Sequence, residues 1–194
     1  MLDCLDGLYK CDACSARKDA KAPVYPVGPL VKNWVMVVGR NPGRDEDNGG
    51  EPFIGRAGKF LMDWLGEVGL SREQVYITNC VKCFTENNRP PTDTEIETCS
   101  RLWLREEGVA LNPRLLIVLG MDAYYGVFGK KAVFWSNLVG KKVETLASRT
   151  EILIMPHPSA TFYQPDKKVV YKEAIPKVQA ILAKIKEEPQ SCGL

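Results

Sequence analysis

Four short apolar runs constrain this chain more than any other feature. They are Trp34-Val35-Met36-Val37-Val38-Gly39, Val75-Tyr76-Ile77-Thr78, Leu115-Leu116-Ile117-Val118-Leu119-Gly120 and Ile152-Leu153-Ile154-Met155. A strand with one wet face alternates apolar and polar residues, so runs without alternation predict strands covered on both faces. Helical segments lie between them. Ala57 to Val68 carries Phe60, Leu61, Trp64, Leu65 and Val68 on one stripe and stops at Gly69. Thr92-Asp93-Thr94-Glu95 is a capping box that opens a helix running to about Gly108. Met121 to Phe128 is a short helix, and Val170 to Glu188 closes the chain as an amphipathic one. Strands alternating with helices predict an α/β fold, a three-layer α/β/α sandwich around a central four-stranded, mainly parallel sheet. In such sheets ligands sit at the carboxyl ends of the strands.

A chain of 194 residues, 45% hydrophobic, is long enough to bury one substantial core, and it is expected to form a single domain over residues 1–194. Residues 1–29 are expected to be a cysteine-bearing arm: polar and without periodicity at first, then a proline-rich connection from Pro23 to Pro29. No apolar stretch approaches the roughly 18 residues of a membrane span. The first ten residues hold two acids and no apolar core of a secretion signal. The 26 basic residues against 24 acidic ones exclude a polybasic coat but allow a local basic groove. No heptad or spare apolar stripe points to self-association, so a monomer is expected.

Seven cysteines cannot all pair within one chain, which turns attention from disulfides to metal or cluster ligation. The single histidine, His157, excludes any site that needs two or more. Cys11-x2-Cys14 lies in the arm and Cys80-x2-Cys83 follows the second strand. Cys99 sits in the capped helix on the stripe Ile96, Cys99, Trp103. The two CxxC pairs alone suggest a zinc ribbon of Cys11, Cys14, Cys80 and Cys83. Spacing does not choose between Cys80 and Cys99 as fourth ligand, and Cys4 and Cys192 read as free terminal thiols.

The strand ends carry the other candidate residues. Gly39-Arg40-Asn41-Pro42-Gly43 is a stiff, close-approach loop without the G-x-G-x-x-G spacing of a dinucleotide site or the Gly-Lys-Ser/Thr of a phosphate loop. Asn79 offers a donor and an acceptor at the end of the second strand. His157, held between Pro156 and Pro158 after the last strand, is placed to stabilise a developing anion.

Taken together these segments resemble the iron–sulfur uracil-DNA glycosylases, family 4 of that superfamily, from about Cys11 to the final helix. The resemblance rests on Gly39-Arg40-Asn41-Pro42-Gly43-Arg44-Asp45-Glu46-Asp47, then Pro52-Phe53-Ile54-Gly55-Arg56-Ala57-Gly58. It continues through Tyr76-Ile77-Thr78-Asn79-Cys80-Val81-Lys82-Cys83, Asn88-Arg89-Pro90-Pro91-Thr92 and His157-Pro158-Ser159. Two positions depart from the family pattern. Arg40 stands where the family has Glu, and Asn41 makes the first motif Gly-x-Asn-Pro, as in the mismatch-specific uracil and thymine glycosylases.

The resemblance implies a uracil-DNA glycosylase-like fold and a hydrolase of base excision repair in a prokaryotic or viral cytoplasm. Such an enzyme would act on uracil in single- or double-stranded DNA and leave an abasic site. It implies a [4Fe–4S] cluster on Cys11, Cys14, Cys83 and Cys99, with Cys80 a bystander. Gly39, Phe53 and Asn79 would form the uracil pocket, with Phe53 stacking on the base and Asn79 reading its edge. His157 would stabilise the anion leaving through uracil O2, and Asn41, with Glu46, would orient the attacking water. Ser159 and Phe162 would belong to a loop entering the minor groove, with Tyr163 beside Phe162 as an alternative wedge. Lys141 and Lys142, with Arg149, Lys167, Lys168 and Lys172, would grip phosphates. The Arg40 and Asn41 departures keep open a catalytically silent or altered-specificity DNA-binding member of the same superfamily.

Overall fold

The computed structural model describes residues 5–32, 34–132, 138–140, 142–144 (by backbone alone) and 149–187. The expected strands are β1 (Val35–Gly39), β2 (Tyr76–Asn79), β3 (Leu115–Leu119) and β5 (Glu151–Met155). They pair in parallel in the spatial order β2, β1, β3, β5. One more short strand, β4 (Lys142–Glu144), lies antiparallel to β5 at the sheet edge.

Burial on both faces follows from the side-chain period of two. Val35, Val37, Leu115, Ile117, Leu119, Leu153 and Met155 pack with Leu61, Trp64 and Leu65 of α2 (Arg56–Glu67) and with Tyr171, Val178 and Leu182 of α6 (Asp166–Glu187). Met36, Val38, Leu116, Val118, Ile152 and Ile154 pack on the opposite face. There they meet Ile96 of α3 (Asp93–Cys99), Leu111 of α4 (Arg105–Leu111) and Tyr124 of α5 (Met121–Phe128). Two apolar cores separated by one sheet make the three layers.

The expected capping box opens α3: Thr92 Oγ1 accepts from Glu95 N at 3.2 Å, and Glu95 Oε2 accepts from Thr92 N at 2.7 Å. The helix then runs further than Gly108. It passes through a π-helical turn, Ser100–Leu104, into α4 and ends where Asn112 takes a left-handed φ of 44°. The sequence holds no period for α1 (Arg44–Gly49), which buries no residue and lies in what reads as loop. Its start is capped by Glu46, whose Oε2 accepts from Gly43 N at 2.9 Å. The arm is ordered by anchors: Leu8, Ala16 and Val24 are buried, and Val27 bridges Ile77 beside β2.

Because β1, β2, β3 and β5 are parallel, their carboxyl ends share one edge of the sheet. Gly39 is in register with Asn79, and Leu119 with Met155. The loops that follow gather the first motif, the Asn79 segment and the His157 turn on that edge. No helix among the described residues is long and apolar enough to cross a membrane.

Candidate active site

Gly39 is the floor of the site. A methyl group there would lie 2.4 Å from Asn79 Oδ1 and 2.4 Å from Phe53 Cζ, so the absence of a side chain lets the ring and the amide meet over β1. Phe53 is buried and takes a left-handed φ of 56°, a strained conformation for an aromatic residue. Its surroundings hold it there. Arg72 donates to Pro52 O at 2.7 Å and Phe53 O at 3.3 Å, and a Cβ on Gly58 would fall 1.9 Å from Phe53 O. The first turn of α2 therefore passes directly beneath the Phe53 backbone.

His157 faces the same space: its ring and that of Phe53 are within 29° of parallel, with centroids 6.2 Å apart. The backbone N–H of Ser159 donates to His157 Nδ1 at 3.3 Å, and Ser159 Oγ lies 2.8 Å from the same nitrogen. An Nδ1 that accepts leaves the proton of a neutral ring on Nε2. Burial pushes the imidazole down to about 4, and the Arg40 guanidinium lowers it further in the same direction. The ring is thus held neutral at physiological pH, with one N–H to donate.

The first loop is tied by side chains. Asn41 Oδ1 accepts from Arg40 Nε at 2.7 Å, while Nδ2 donates to Thr85 Oγ1 at 3.0 Å and to Pro42 O at 3.1 Å. Its oxygen keeps one lone pair. Glu46, expected beside the water, has Oε2 on Gly43 N and Oε1 on Gly55 N at 3.0 Å. Both oxygens hold backbone, so the carboxylate fastens the first motif to the Phe53 loop.

Cys11, Cys14, Cys83 and Cys99 line one small pocket with Leu8, Lys82 and Trp103. Burial pushes the Cys83 and Cys99 thiols up to about 12; the neighbouring cysteines add to this at Cys83, whereas Lys82 opposes it at Cys99. Cys14 is raised by burial as well. The Lys82 N–H donates to Cys99 Sγ at 3.3 Å. At the same pocket Trp103 Nε1 is buried without a hydrogen-bond partner among the described residues. Four sulfurs, an amide aimed at one of them and an unsatisfied indole donor fit a sulfur-rich group that accepts hydrogen bonds. Cys80 lies elsewhere: its thiol donates to Arg40 O at 3.0 Å and Asp122 O at 3.5 Å. These contacts fit the bystander reading of Cys80.

Phe162 lies under the Arg56 guanidinium, 4.0 Å from its ring centroid, and edge-on to Phe60. Tyr163, next in the chain, is 82% exposed. Lys141 falls outside the described residues, as does the side chain of Lys142, although the Lys142 backbone pairs with Leu153 in the middle of β5. Lys167 pairs with Asp166 at 2.9 Å, and Arg149, Lys168 and Lys172 are exposed. Three supporting residues escape sequence reasoning. Arg72 and Thr85 carry no motif signal, and Lys82, inside the quoted motif, looks like an ordinary lysine until its burial is seen.

Residues 25–179 match the profile of the uracil DNA glycosylase superfamily. The chain is 35% identical over 187 residues to the type-4 uracil-DNA glycosylase of Archaeoglobus fulgidus, covering 94% of this chain and 93% of that protein. It is 36% identical over 184 residues to the type-4 uracil-DNA glycosylase of Saccharolobus solfataricus, covering 92% and 84%. The type-4 enzyme of Pyrobaculum aerophilum is 36% identical over 163 residues, covering 81% and 82%. With a family match over most of its length and the glycine-floored site at the strand ends, the chain belongs to the uracil DNA glycosylase superfamily.

Proposed function

We propose that this chain is a uracil-DNA glycosylase that hydrolyses the N-glycosidic bond of uracil turned out of DNA, releasing free uracil and leaving an abasic site. The observation that carries the reading is the convergence of Phe53, Asn79 and His157 over a side-chain-free Gly39. The base must leave the stack for its C1′–N bond to be reached. A flat base on Phe53 brings its edge to Asn79. Asn79 Oδ1 accepts the N3 hydrogen of uracil and Nδ2 donates to O4; cytosine presents the opposite pattern at both atoms.

As the bond breaks, the electron pair goes to the base and negative charge gathers on O2. His157 Nε2–H is the donor for that charge, and a neutral ring donates without needing to lose its proton. A single well-placed donor of this kind contributes about 3 kcal/mol to lowering the barrier. The remaining lone pair of Asn41 Oδ1 orients the water that attacks C1′, with Arg40 and Thr85 fixing the amide and Glu46 fixing the loop. Tyr163, at the exposed end of the His157 turn, is the aromatic available to the vacated stack, while Phe162 supports it from beneath Arg56. Lys168 and Lys172, exposed on α6, supply phosphate contacts.

Cys11, Cys14, Cys83 and Cys99 would hold a [4Fe–4S] cluster. When bound it would tie the arm to the segment after the second strand and to α3, and hydrolysis of a glycosidic bond needs no electron from it. The test is single-turnover release of uracil from a labelled single-stranded oligonucleotide carrying one uracil, with the abasic site read by alkaline cleavage. Release that collapses in His157→Ala supports the reading. A folded, DNA-binding protein that releases nothing would make this a silent member of the superfamily.

A further inference from the structure

Among the described residues one basic side chain is fully buried, that of Lys82, at 1% exposure. Its partner Glu107, from α4, is at 0%, with Nζ to Oε1 at 2.5 Å. An ion pair this deep is weak as a source of stability, because apolar residues of the same volume serve as well or better. Its geometry points to another use. Nζ also donates to Thr78 Oγ1 at 2.5 Å and to the backbone carbonyl of Asn79 at 3.0 Å. Thr78 and the Asn79 carbonyl thus take two of its hydrogen bonds, and Glu107 supplies the opposite charge at contact distance.

The Lys82 backbone is equally committed. Its N–H donates to Cys99 Sγ at 3.3 Å, and its carbonyl accepts from Val24 N of the arm at 2.7 Å. Asn79 is the last residue of β2, and the peptide that follows it is held on its other side by Cys80 N donating to Gly39 O at 2.9 Å. Lys82 and Gly39 together clamp that peptide plane. The clamp fixes the direction in which the Asn79 side chain leaves the strand.

We propose that Lys82 is a positioning residue: it locks the strand end that presents the Asn79 amide, and it links that strand end to the cysteine pocket and to α4. The proposal rests on the reading of Asn79 as the group that recognises the base edge. It explains why an expensive buried charge sits one residue before a cysteine of the pocket and three after the base reader.

The test uses the holoprotein and the double variant Lys82→Met/Glu107→Gln, which removes both charges at nearly constant volume. Three quantities are read: visible absorption for the cluster, the thermal midpoint for the fold, and inhibition by free uracil for the base pocket. The expected result is unchanged absorption, a midpoint at or near wild type, and uracil inhibition weakened about tenfold, the scale of one lost charged hydrogen bond. The single-turnover rate falls while the affinity for undamaged DNA is kept. Wild-type uracil inhibition in the double variant would overturn the proposal and leave the pair a packing element. Thr78→Val, which deletes one Nζ partner at the same volume, carries the same prediction at several-fold and decides the matter if the double variant does not accumulate; unchanged inhibition there also overturns it. Wild-type protein that free uracil does not inhibit would instead overturn the assignment of Asn79 on which the proposal stands.

Discussion

In the proposed mechanism His157 acts as a neutral donor, and the pH dependence of base release tests that directly. Two features of its environment fix the outcome: Ser159 N–H occupies Nδ1, and burial with Arg40 nearby brings the pKa down to about 4. At pH 7 about one ring in a thousand is then protonated. Nearly every molecule then carries the Nε2–H tautomer that the proposed mechanism requires. The expected single-turnover rate is flat from about pH 5.5 upward, with an acid limb near 4 and no step near 6.5, the value of an unperturbed imidazole. His157→Ala is expected to cost on the order of a hundredfold or more in that plateau rate, matching about 3 kcal/mol for one donor to a developing oxyanion. The sign on stability follows from the same shift. The unfolded chain takes up the proton near 6.5 and the folded chain only near 4, so stability falls as the pH drops between these values. Since His157 is the chain's only histidine, imidazole nitrogen shifts report its tautomer without assignment ambiguity. A measured pKa near 6.5, or a rate that follows the imidazolium fraction, would refute the reasoning.

Three further perturbations probe separate parts of the molecule. Gly39→Ala puts a methyl group 2.4 Å from both Phe53 and Asn79, so uracil release is expected to be lost while circular dichroism and visible absorption stay near wild type. Cys99→Ala is expected to bleach the visible absorption and destabilise the arm, whereas Cys80→Ala keeps the colour, since the Cys80 thiol is bonded to two carbonyls away from the pocket. Glu95 accepts both Arg89 nitrogens at 2.8 Å and Ser15 Oγ at 2.7 Å, and the Arg89 hydrogen bonds hold its carboxyl down to about 2. That lowered value stabilises the fold above the ordinary carboxylate range by about 3 kcal/mol, a contribution lost as the pH falls toward 2, and urea titrations of Glu95→Gln are expected to have lost most of it at pH 7.

The sheet was the most legible part of the sequence because its strands are buried on both faces, and continuous apolar runs have few other uses in a chain of this size. The helices whose stripes meet the sheet, α2 and α6, could be read from their period, and α3 from its capping box. What could not be read has a physical reason in each case. α1 buries nothing, so no apolar period marks it, and a carboxylate reaching back to a glycine N–H sets its start. The helix after Cys99 continues past Gly108 because α4 packs Leu111 and Glu107 inward, and tertiary burial outweighs the low helix propensity of one glycine. β4 is three residues at an edge, too short for any pattern to declare.

The site divides along the same line. Residues that would meet the base, Gly39, Phe53, Asn79 and His157, are recognisable as types, since each offers one contact that its chemistry names. The residues that hold them are not. Phe53 keeps a left-handed backbone because Arg72, nineteen positions away, bonds the two carbonyls around it. Arg40, the departure that most invites a reading of lost activity, puts its Nε on the Asn41 oxygen and its charge toward His157. An acid there would repel the Asn41 carbonyl and favour the imidazolium; the arginine binds the one and suppresses the other. In this arrangement Asn41 and Arg40 form one unit, in which the amide proposed to orient water is aligned by a cation that adds to the effect of burial in keeping the histidine neutral. The substitution therefore changes how the first motif is held together and leaves each of its parts with a task.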